Sequence, residues 1–120
     1  MKRILLAEDD PASRELLREL LERWGYEVVE AVDGGEALEK IREIVPDLAI
    51  LDVQMPVLDG YSVLHFVRED QRFASLPVLA LTAFAMDGDR EKALLQGFTG
   101  YQSKPVNSKQ LKAELERLLS

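Results

Sequence analysis

Polar side chains of complementary chemistry follow four short apolar runs of this sequence. In chain order they are Glu8, Asp9 and Asp10, then Asp52, then Thr82, and finally Lys104. Carboxylates that lie close together repel one another and raise one another's pKa unless a cation compensates them. Oxygen ligands of this kind suit a hard divalent ion such as Mg²⁺. A carboxylate beside Mg²⁺, a hydroxyl and a lysine could also carry out phosphoryl transfer, with the carboxylate as the nucleophile.

The apolar runs predict the strands that would bring these side chains together. Three of them, at residues 4–7, 48–51 and 77–81, are continuous rather than alternating, which is typical of parallel strands covered on both faces. Weaker strand patterns cover residues 26–32 and 99–103, and the first of these fits a sheet edge. Because the carboxyl ends of parallel strands meet at one edge of a sheet, the polar residues that follow them become neighbours.

Between the strands, apolar residues recur at helical spacing and predict five helices. The first helix begins at Pro11, and Pro46 ends the second. We expect Asp87 to cap the fourth helix and Asn107 or Ser108 to cap the fifth. Strands and helices that alternate in this way predict an α/β fold with a doubly wound parallel sheet and right-handed crossovers.

The composition predicts one cytoplasmic domain over residues 1–120, although the segment could also be excised from a longer protein. The chain has no cysteine, which excludes a disulfide framework, a thiolate metal site and a cysteine nucleophile. A net charge of −7 argues against direct binding of nucleic acid or an anionic membrane and favours a basic partner surface. The opening apolar run ends at Glu8, too early for a signal peptide, and no stretch has membrane-spanning length.

Four motifs together give the sequence a specific signature. They are Leu6-Ala7-Glu8-Asp9-Asp10, then Leu51-Asp52-Val53-Gln54-Met55-Pro56 with Asp59-Gly60, then Leu81-Thr82-Ala83, and last Tyr101-Gln102-Ser103-Lys104-Pro105. In this order and spacing they resemble the receiver domains of two-component response regulators, the CheY-like family, over essentially the whole chain. The resemblance implies a flavodoxin-like (βα)5 fold with five parallel strands in the order 2-1-3-4-5, an order that is known for a member of this family.

The resemblance also implies a phosphorylation-dependent signalling switch or relay. Asp52 would accept a phosphoryl group from a phosphohistidine of a sensor kinase or a histidine phosphotransfer protein. Glu8, Asp9 and Asp52 would bind Mg²⁺ together with the backbone carbonyl of Gln54. The chain would signal through protein–protein contacts, as a monomer or as a dimer formed on phosphorylation. It would assist its own phosphorylation and slow dephosphorylation without being a multiple-turnover enzyme on small molecules.

Further side chains would respond to the phosphoryl group by the same resemblance. Lys104 would pair with Asp52 and then with the phosphate, and Thr82 would move to hydrogen-bond the new phosphoryl oxygen. Tyr101 would turn inward to fill the space that Thr82 leaves. That movement would change the face formed by the fourth helix, the fifth strand and the fifth helix. The Lys104–Pro105 peptide bond would be cis, as such bonds nearly always precede proline.

Several positions depart from the family pattern or vary within it. Glu8 stands where many members have Asp, which places its carboxylate one methylene further out. Gln54 and Phe84 fall at positions that tune how fast the acyl phosphate is lost. Asp10 could either touch the water shell of the metal or cap the first helix. His65 invites a phosphohistidine interpretation, but it falls inside the third predicted helix, away from the proposed edge.

Three other classes of protein share parts of this pattern. A haloacid-dehalogenase-like phosphatase also uses a strand-end Asp with Thr and Lys, but its acid/base is a second Asp at the position of Gln54 here. A flavodoxin-like FMN carrier needs a phosphate cradle after the first strand, where this chain has three acids. A constitutive pseudo-receiver scaffold should lack at least one key residue, and none is missing. Without an Asp at position 54, Asp52 is expected to hold its phosphate long enough to signal.

Overall fold

Five parallel strands form one sheet in the order β2-β1-β3-β4-β5 in this computed structural model, which describes residues 1–83 and 85–120. The strands are β1 (Arg3–Ala7), β2 (Glu27–Ala31), β3 (Leu48–Asp52), β4 (Val78–Thr82) and β5 (Gly100–Ser103). The helices are α1 (Pro11–Arg23), α2 (Gly34–Ile44), α3 (Gly60–Glu69), α4 (Asp89–Gln96) and α5 (Ser108–Leu119). The predicted doubly wound α/β fold and its strand order are confirmed.

The helices cover both faces of the sheet, which divides the core into two layers. One layer, called here the α2–α4 layer, packs buried residues of α2, α3 and α4 against strand residues such as Leu5 and Leu51. The other, the α1–α5 layer, packs α1 and α5 against alternate residues of the same strands, such as Leu6 and Ile50. Both faces of a central strand are therefore apolar, which explains the continuous runs in the sequence.

The site edge of the sheet is set by the end of β3. All five residues of β3 are buried, and Asp52 at its end lies opposite Leu81 of β4. The start of α3 closes over this point, because a Cβ atom added at Gly60 would lie 2.7 Å from the carbonyl oxygen of Asp52. Only glycine fits so close an approach of helix to strand. The chain therefore turns sharply after the predicted nucleophile.

The start of α4 differs from the prediction, since Asp87 does not cap it. Gly88 precedes the helix with a φ of 88° and, among the described residues, makes no side-chain capping bond. The chain instead folds back so that the Asp89 carboxylate accepts a hydrogen bond from the Met86 N–H at 2.8 Å. The cap of α5 is Asn107, whose side chain accepts from the Gln110 N–H. In the part of the chain that the structure describes, no helix is long and apolar enough to cross a membrane.

Candidate functional site

The predicted site residues of β3, β4 and β5 meet at one edge of the sheet. The Val53 N–H, just after β3, donates to the Leu81 carbonyl at 2.8 Å, and the Lys104 N–H, just after β5, donates to the Thr82 carbonyl at 2.7 Å. Asp52 and Thr82 are both buried, each with 4% of its surface exposed. The ladder of parallel strands thus places a carboxylate, a hydroxyl and an amine side by side, as the sequence predicted.

Lys104 joins two buried carboxylates. Its Nζ donates to Asp52 Oδ2 at 2.8 Å and also to Glu8 Oε1, and the side chain of Glu8 is fully buried. The sequence pointed to the pair with Asp52 but not to the pair with Glu8. Strand β5 lies three positions from β1 in the sheet, and the contact is made between the ends of two long side chains. No sequence signal identifies it.

The buried cluster changes the pKa of each of its members. Burial raises the pKa of Glu8 to about 7, and the neighbouring Asp52 adds to the increase while Lys104 opposes it. Burial also acts to raise the pKa of Asp52, but the neighbouring Glu8 carboxyl, Lys104 and the Gln54 N–H outweigh it and lower that pKa. Burial acts to lower the pKa of Lys104, yet its bonds to Asp52 and Glu8 raise it. Of the two carboxyl groups, Asp52 therefore loses its proton more readily than Glu8.

The same acids could hold a divalent cation. Glu8, Asp9 and Asp52 each offer one carboxylate oxygen, and these oxygens lie within 4.8 Å of one another. Glu8 Oε2 is buried, and it has no hydrogen-bond partner among residues 1–83 and 85–120. A buried carboxylate oxygen without a donor is costly unless a proton or a cation reaches it. The residues therefore fit Mg²⁺, which prefers carboxylate oxygens and retains several waters.

Gln54 and Asp10 flank this acidic cluster. The Gln54 N–H donates to Asp52 Oδ1 at 2.9 Å, which fixes the loop after β3, while its carbonyl as a metal ligand stays a prediction. Asp10 Oδ2 accepts a hydrogen bond from the Ser13 N–H at 3.1 Å and is the N-cap of α1. Hydrogen bonding from the side chain of Ser13, and then from its N–H, lowers the pKa of Asp10. Of the two roles that the sequence left open for Asp10, the structure shows the helix cap.

Tyr101 is buried next to the site. It lines a cavity of about 150 Å³ together with Gln54, Thr82 and Asp89. Only 9% of its surface is exposed, and its hydroxyl has no hydrogen-bond partner within the described parts of the chain. Burial and the nearby Asp89 carboxylate raise its pKa. Tyr101 is thus already turned inward, whereas the family resemblance implied an inward turn after phosphorylation.

The remaining predicted positions lie apart from the acidic cluster or outside the described residues. His65 is exposed on α3, where its Nε2 lies 2.9 Å from Glu69 Oε1, and the structure does not bring it to the site. The Lys104–Pro105 peptide bond is cis, as expected. Phe84 falls outside the residues that the structure describes.

Comparisons with known proteins agree on one family. The family model described as "Response regulator receiver domain" matches residues 4–116. The chain is 39% identical over 106 residues to the polar-differentiation response regulator DivK of Brucella ovis, a match that covers 88% of this chain and 86% of that protein.

Two solved structures extend the comparison to the fold. A putative response regulator from Chloroflexus aurantiacus superposes with a TM-score of 0.93 at 33% identity, covering 98% of this chain and 97% of that one. The receiver domain of the sensor histidine kinase PA1611 from Pseudomonas aeruginosa, with a magnesium ion coordinated in its active-site cleft, gives a TM-score of 0.91 at 35% identity. The matched regions again cover 98% of this chain and 97% of that chain.

Proposed function

The chain belongs to the response regulator receiver domain family and is a phosphorylation-dependent signalling switch, and from that premise we propose that Asp52 accepts the phosphoryl group. The observation that carries the proposal is the buried Asp52 carboxylate, held 2.8 Å from Lys104 Nζ at the end of β3. One Asp52 oxygen attacks the phosphorus of a phosphohistidine on a sensor kinase or a histidine phosphotransfer protein. The P–O bond forms as the P–N bond breaks, and the imidazole leaves.

Glu8, Asp9 and Asp52, with the backbone carbonyl of Gln54, would hold Mg²⁺ at this site. The bound ion neutralises negative charge on the oxygens of the transferring phosphoryl group. Glu8 and Asp9 bind and orient, while Lys104, now bonded to Asp52 and Glu8, can turn one donor toward a phosphoryl oxygen. In this way the chain's own residues assist both the phosphorylation and the slow dephosphorylation of Asp52.

Phosphorylation of Asp52 would change the positions of Thr82 and Tyr101. The Thr82 hydroxyl would donate to a phosphoryl oxygen, and the cavity that both side chains line would be repacked. Tyr101 belongs to β5, so a change in its packing alters the face formed by α4, β5 and α5. A downstream protein, rather than nucleic acid, would read that face, with the domain as a monomer or a phosphorylation-induced dimer. We further propose that residues 1–120 form a single receiver domain and that this domain is cytoplasmic.

Members of this family are signalling proteins rather than small-molecule enzymes, and the phosphatase alternative is not favoured. Gln54 supports the same conclusion in chemical terms. A haloacid-dehalogenase-like phosphatase needs an acid/base carboxylate two residues after its nucleophile, and the neutral amide of Gln54 cannot act as a general acid or base near neutral pH. Asp52 would therefore keep its phosphoryl group long enough to be recognised.

Intact-mass spectrometry after incubation with Mg²⁺ and acetyl phosphate tests the acceptor. We expect the wild type to gain one phosphoryl group and Asp52→Asn to gain none, because an amide oxygen is a poor nucleophile. Asp59→Asn is the matched control, since Asp59 caps α3 and asparagine caps helices equally well. It should be phosphorylated like the wild type. Equal labelling of Asp52→Asn, or an unlabelled wild type, would contradict the proposal.

A further inference from the structure

Arg14 connects α1 to the proposed metal site without reaching the carboxylates themselves. Its Nη1 donates to the main-chain carbonyl oxygen of Glu8 at 2.9 Å. Its Nε lies 3.4 Å from Glu30 Oε1 on β2, and only 19% of the arginine side chain is exposed. Neither the family motifs nor the phosphoryl-transfer chemistry above uses this residue.

The carbonyl that Arg14 binds lies at the point where β1 ends. The Glu8 N–H still donates to the Ala31 carbonyl at 3.1 Å, but Glu8 lies one residue beyond the end of the strand. The Glu8 carbonyl belongs to the peptide unit that joins Glu8 to Asp9. Because that unit is planar, a charge-assisted hydrogen bond to its oxygen restrains the backbone from which both side chains project.

The second polar contact of the guanidinium is to a residue of strand β2. Glu30 lies in β2 opposite Leu6 of β1, so its backbone is part of the parallel ladder. The main-chain carbonyl of Glu30 also accepts a hydrogen bond from Lys40 Nζ at 2.6 Å. Arg14 therefore links helix α1, strand β2 and the residue after β1.

We propose that Arg14 is a positioning residue for the divalent cation site. Its guanidinium holds the Glu8–Asp9 peptide so that both carboxylates face the same point, and removal of the guanidinium weakens Mg²⁺ binding without removing any ligand. This inference rests on the proposed Mg²⁺ site of Glu8, Asp9 and Asp52. It concerns binding of the ion and not phosphorylation.

Isothermal titration of the metal-free chain with MgCl₂ tests this role. Arg14→Met retains the aliphatic stem and a high helix propensity but removes every donor. We expect it to weaken Mg²⁺ affinity about tenfold, in the range of other residues that orient metal ligands. The matched control is Glu30→Gln, which removes the charge of the half-buried pair but keeps a side-chain oxygen that can accept from Arg14 Nε, and which leaves the Glu8 carbonyl contact. It should bind Mg²⁺ within about twofold of the wild type, because Arg14 still donates to the Glu8 carbonyl.

Thermal unfolding without Mg²⁺ separates positioning from general stability. A merely structural role predicts that Arg14→Met and Glu30→Gln lower the midpoint of unfolding together and leave Mg²⁺ affinity unchanged. Mg²⁺ affinity of Arg14→Met within about twofold of the wild type, or equal weakening in both variants, overturns the proposal. If Arg14→Met does not fold, Arg14→Lys takes its place, with weakened affinity expected and unchanged affinity overturning the proposal. A wild type that binds no Mg²⁺ overturns the metal site itself as well as the role of Arg14.

Discussion

Glu8 and Asp52 compete for one lysine at the phosphoacceptor edge. Lys104 Nζ bonds to both carboxylates, yet burial and the charge of Asp52 still leave the pKa of Glu8 raised to about 7. The folded state without a cation therefore disfavours the ionised form of Glu8 even after the attraction of Lys104 is included. Buried groups arranged for binding an ion commonly lower stability when that ion is absent.

Glu8→Gln is expected to stabilise the chain in EDTA at pH 8 by about 1–2 kcal/mol, because glutamine retains the shape without the charge. The contribution of Glu8 to the free energy of unfolding depends on pH. The pKa of Glu8 rises from its usual 4.5 to about 7 on folding, so the folded chain binds more protons between these values. Wild-type stability from this group falls as pH rises from 4.5 to 7 and is lowest above it. Urea unfolding of both proteins across this range measures the difference.

Addition of Mg²⁺ supplies the control for that prediction. Mg²⁺ should increase the free energy of unfolding of the wild type, because the ion binds only the folded state, and should do so much less for Glu8→Gln. A variant that is less stable than the wild type at pH 8 in EDTA would show that the Lys104–Glu8 ion pair outweighs the cost of burial.

At the scale of the element, α2 ends in a strained residue. Val45 at its C-terminus has a φ of 49°, and Val57 in the loop after β3 has a φ of 72°. The left-handed region crowds the Cβ atom, and for a β-branched side chain it costs on the order of 1 kcal/mol or more. Both valines are exposed, at 55% and 77%, so burial gives little in return.

Val45→Gly should raise the free energy of unfolding by about 1 kcal/mol, since glycine is the preferred residue at a left-handed helix C-terminus. The matched control is Val32→Gly, at an exposed valine without a left-handed backbone. There glycine only adds freedom to the unfolded chain and should lower stability. Urea denaturation followed by circular dichroism measures the free energy of unfolding of both variants. A Val45→Gly variant less stable than the wild type would show that Val45 is not strained.

The elements differ in how far sequence alone could predict them. Continuous apolar runs identified β1, β3 and β4, because a strand that is buried on both faces is apolar at nearly every position. The capping rule failed at α4, where Gly88 redirects the chain and the Asp89 carboxylate bonds backward instead of Asp87 bonding forward. The capping rule assumes that an N-cap residue has an extended backbone that leads directly into the helix. At α4 the left-handed backbone of Gly88 stands in that position instead.

The site was predictable in its residues and in the Lys104–Asp52 pair, but not in its contacts with Glu8. Strand ends and parallel pairing were enough to place Asp52, Thr82 and Lys104 together. The contact of the Glu8 carboxylate with Lys104 joins residues 96 positions apart in the sequence and depends on the lengths of the two side chains. The contact of the Glu8 carbonyl with Arg14 spans 6 positions and depends on the orientation of α1. Such contacts follow from tertiary packing, which no local pattern encodes.

At the scale of the whole molecule, the two core layers share every central strand. Leu5 and Leu51 face the α2–α4 layer, while Leu6 and Ile50 of the same strands face the α1–α5 layer. Loss of either layer exposes one face of strands that are otherwise fully buried. We therefore expect the two layers to unfold as one cooperative unit, which is usual for single domains of this size.

Truncation of one residue in each layer tests this cooperativity. Leu21→Ala in the α1–α5 layer and Ile41→Ala in the α2–α4 layer each remove a fully buried side chain and should each cost about 3 kcal/mol. Trp24, the one tryptophan, packs against the α1–α5 layer, so its fluorescence reports that side of the sheet. Ile41→Ala should nevertheless shift the urea midpoint of Trp24 fluorescence as far as that of far-UV circular dichroism. The exposed Glu39→Ala on α2 should leave both midpoints near those of the wild type. If Ile41→Ala lowers only the circular dichroism midpoint, the layers unfold separately, and the sheet does not couple the α1–α5 layer to the α2–α4 layer.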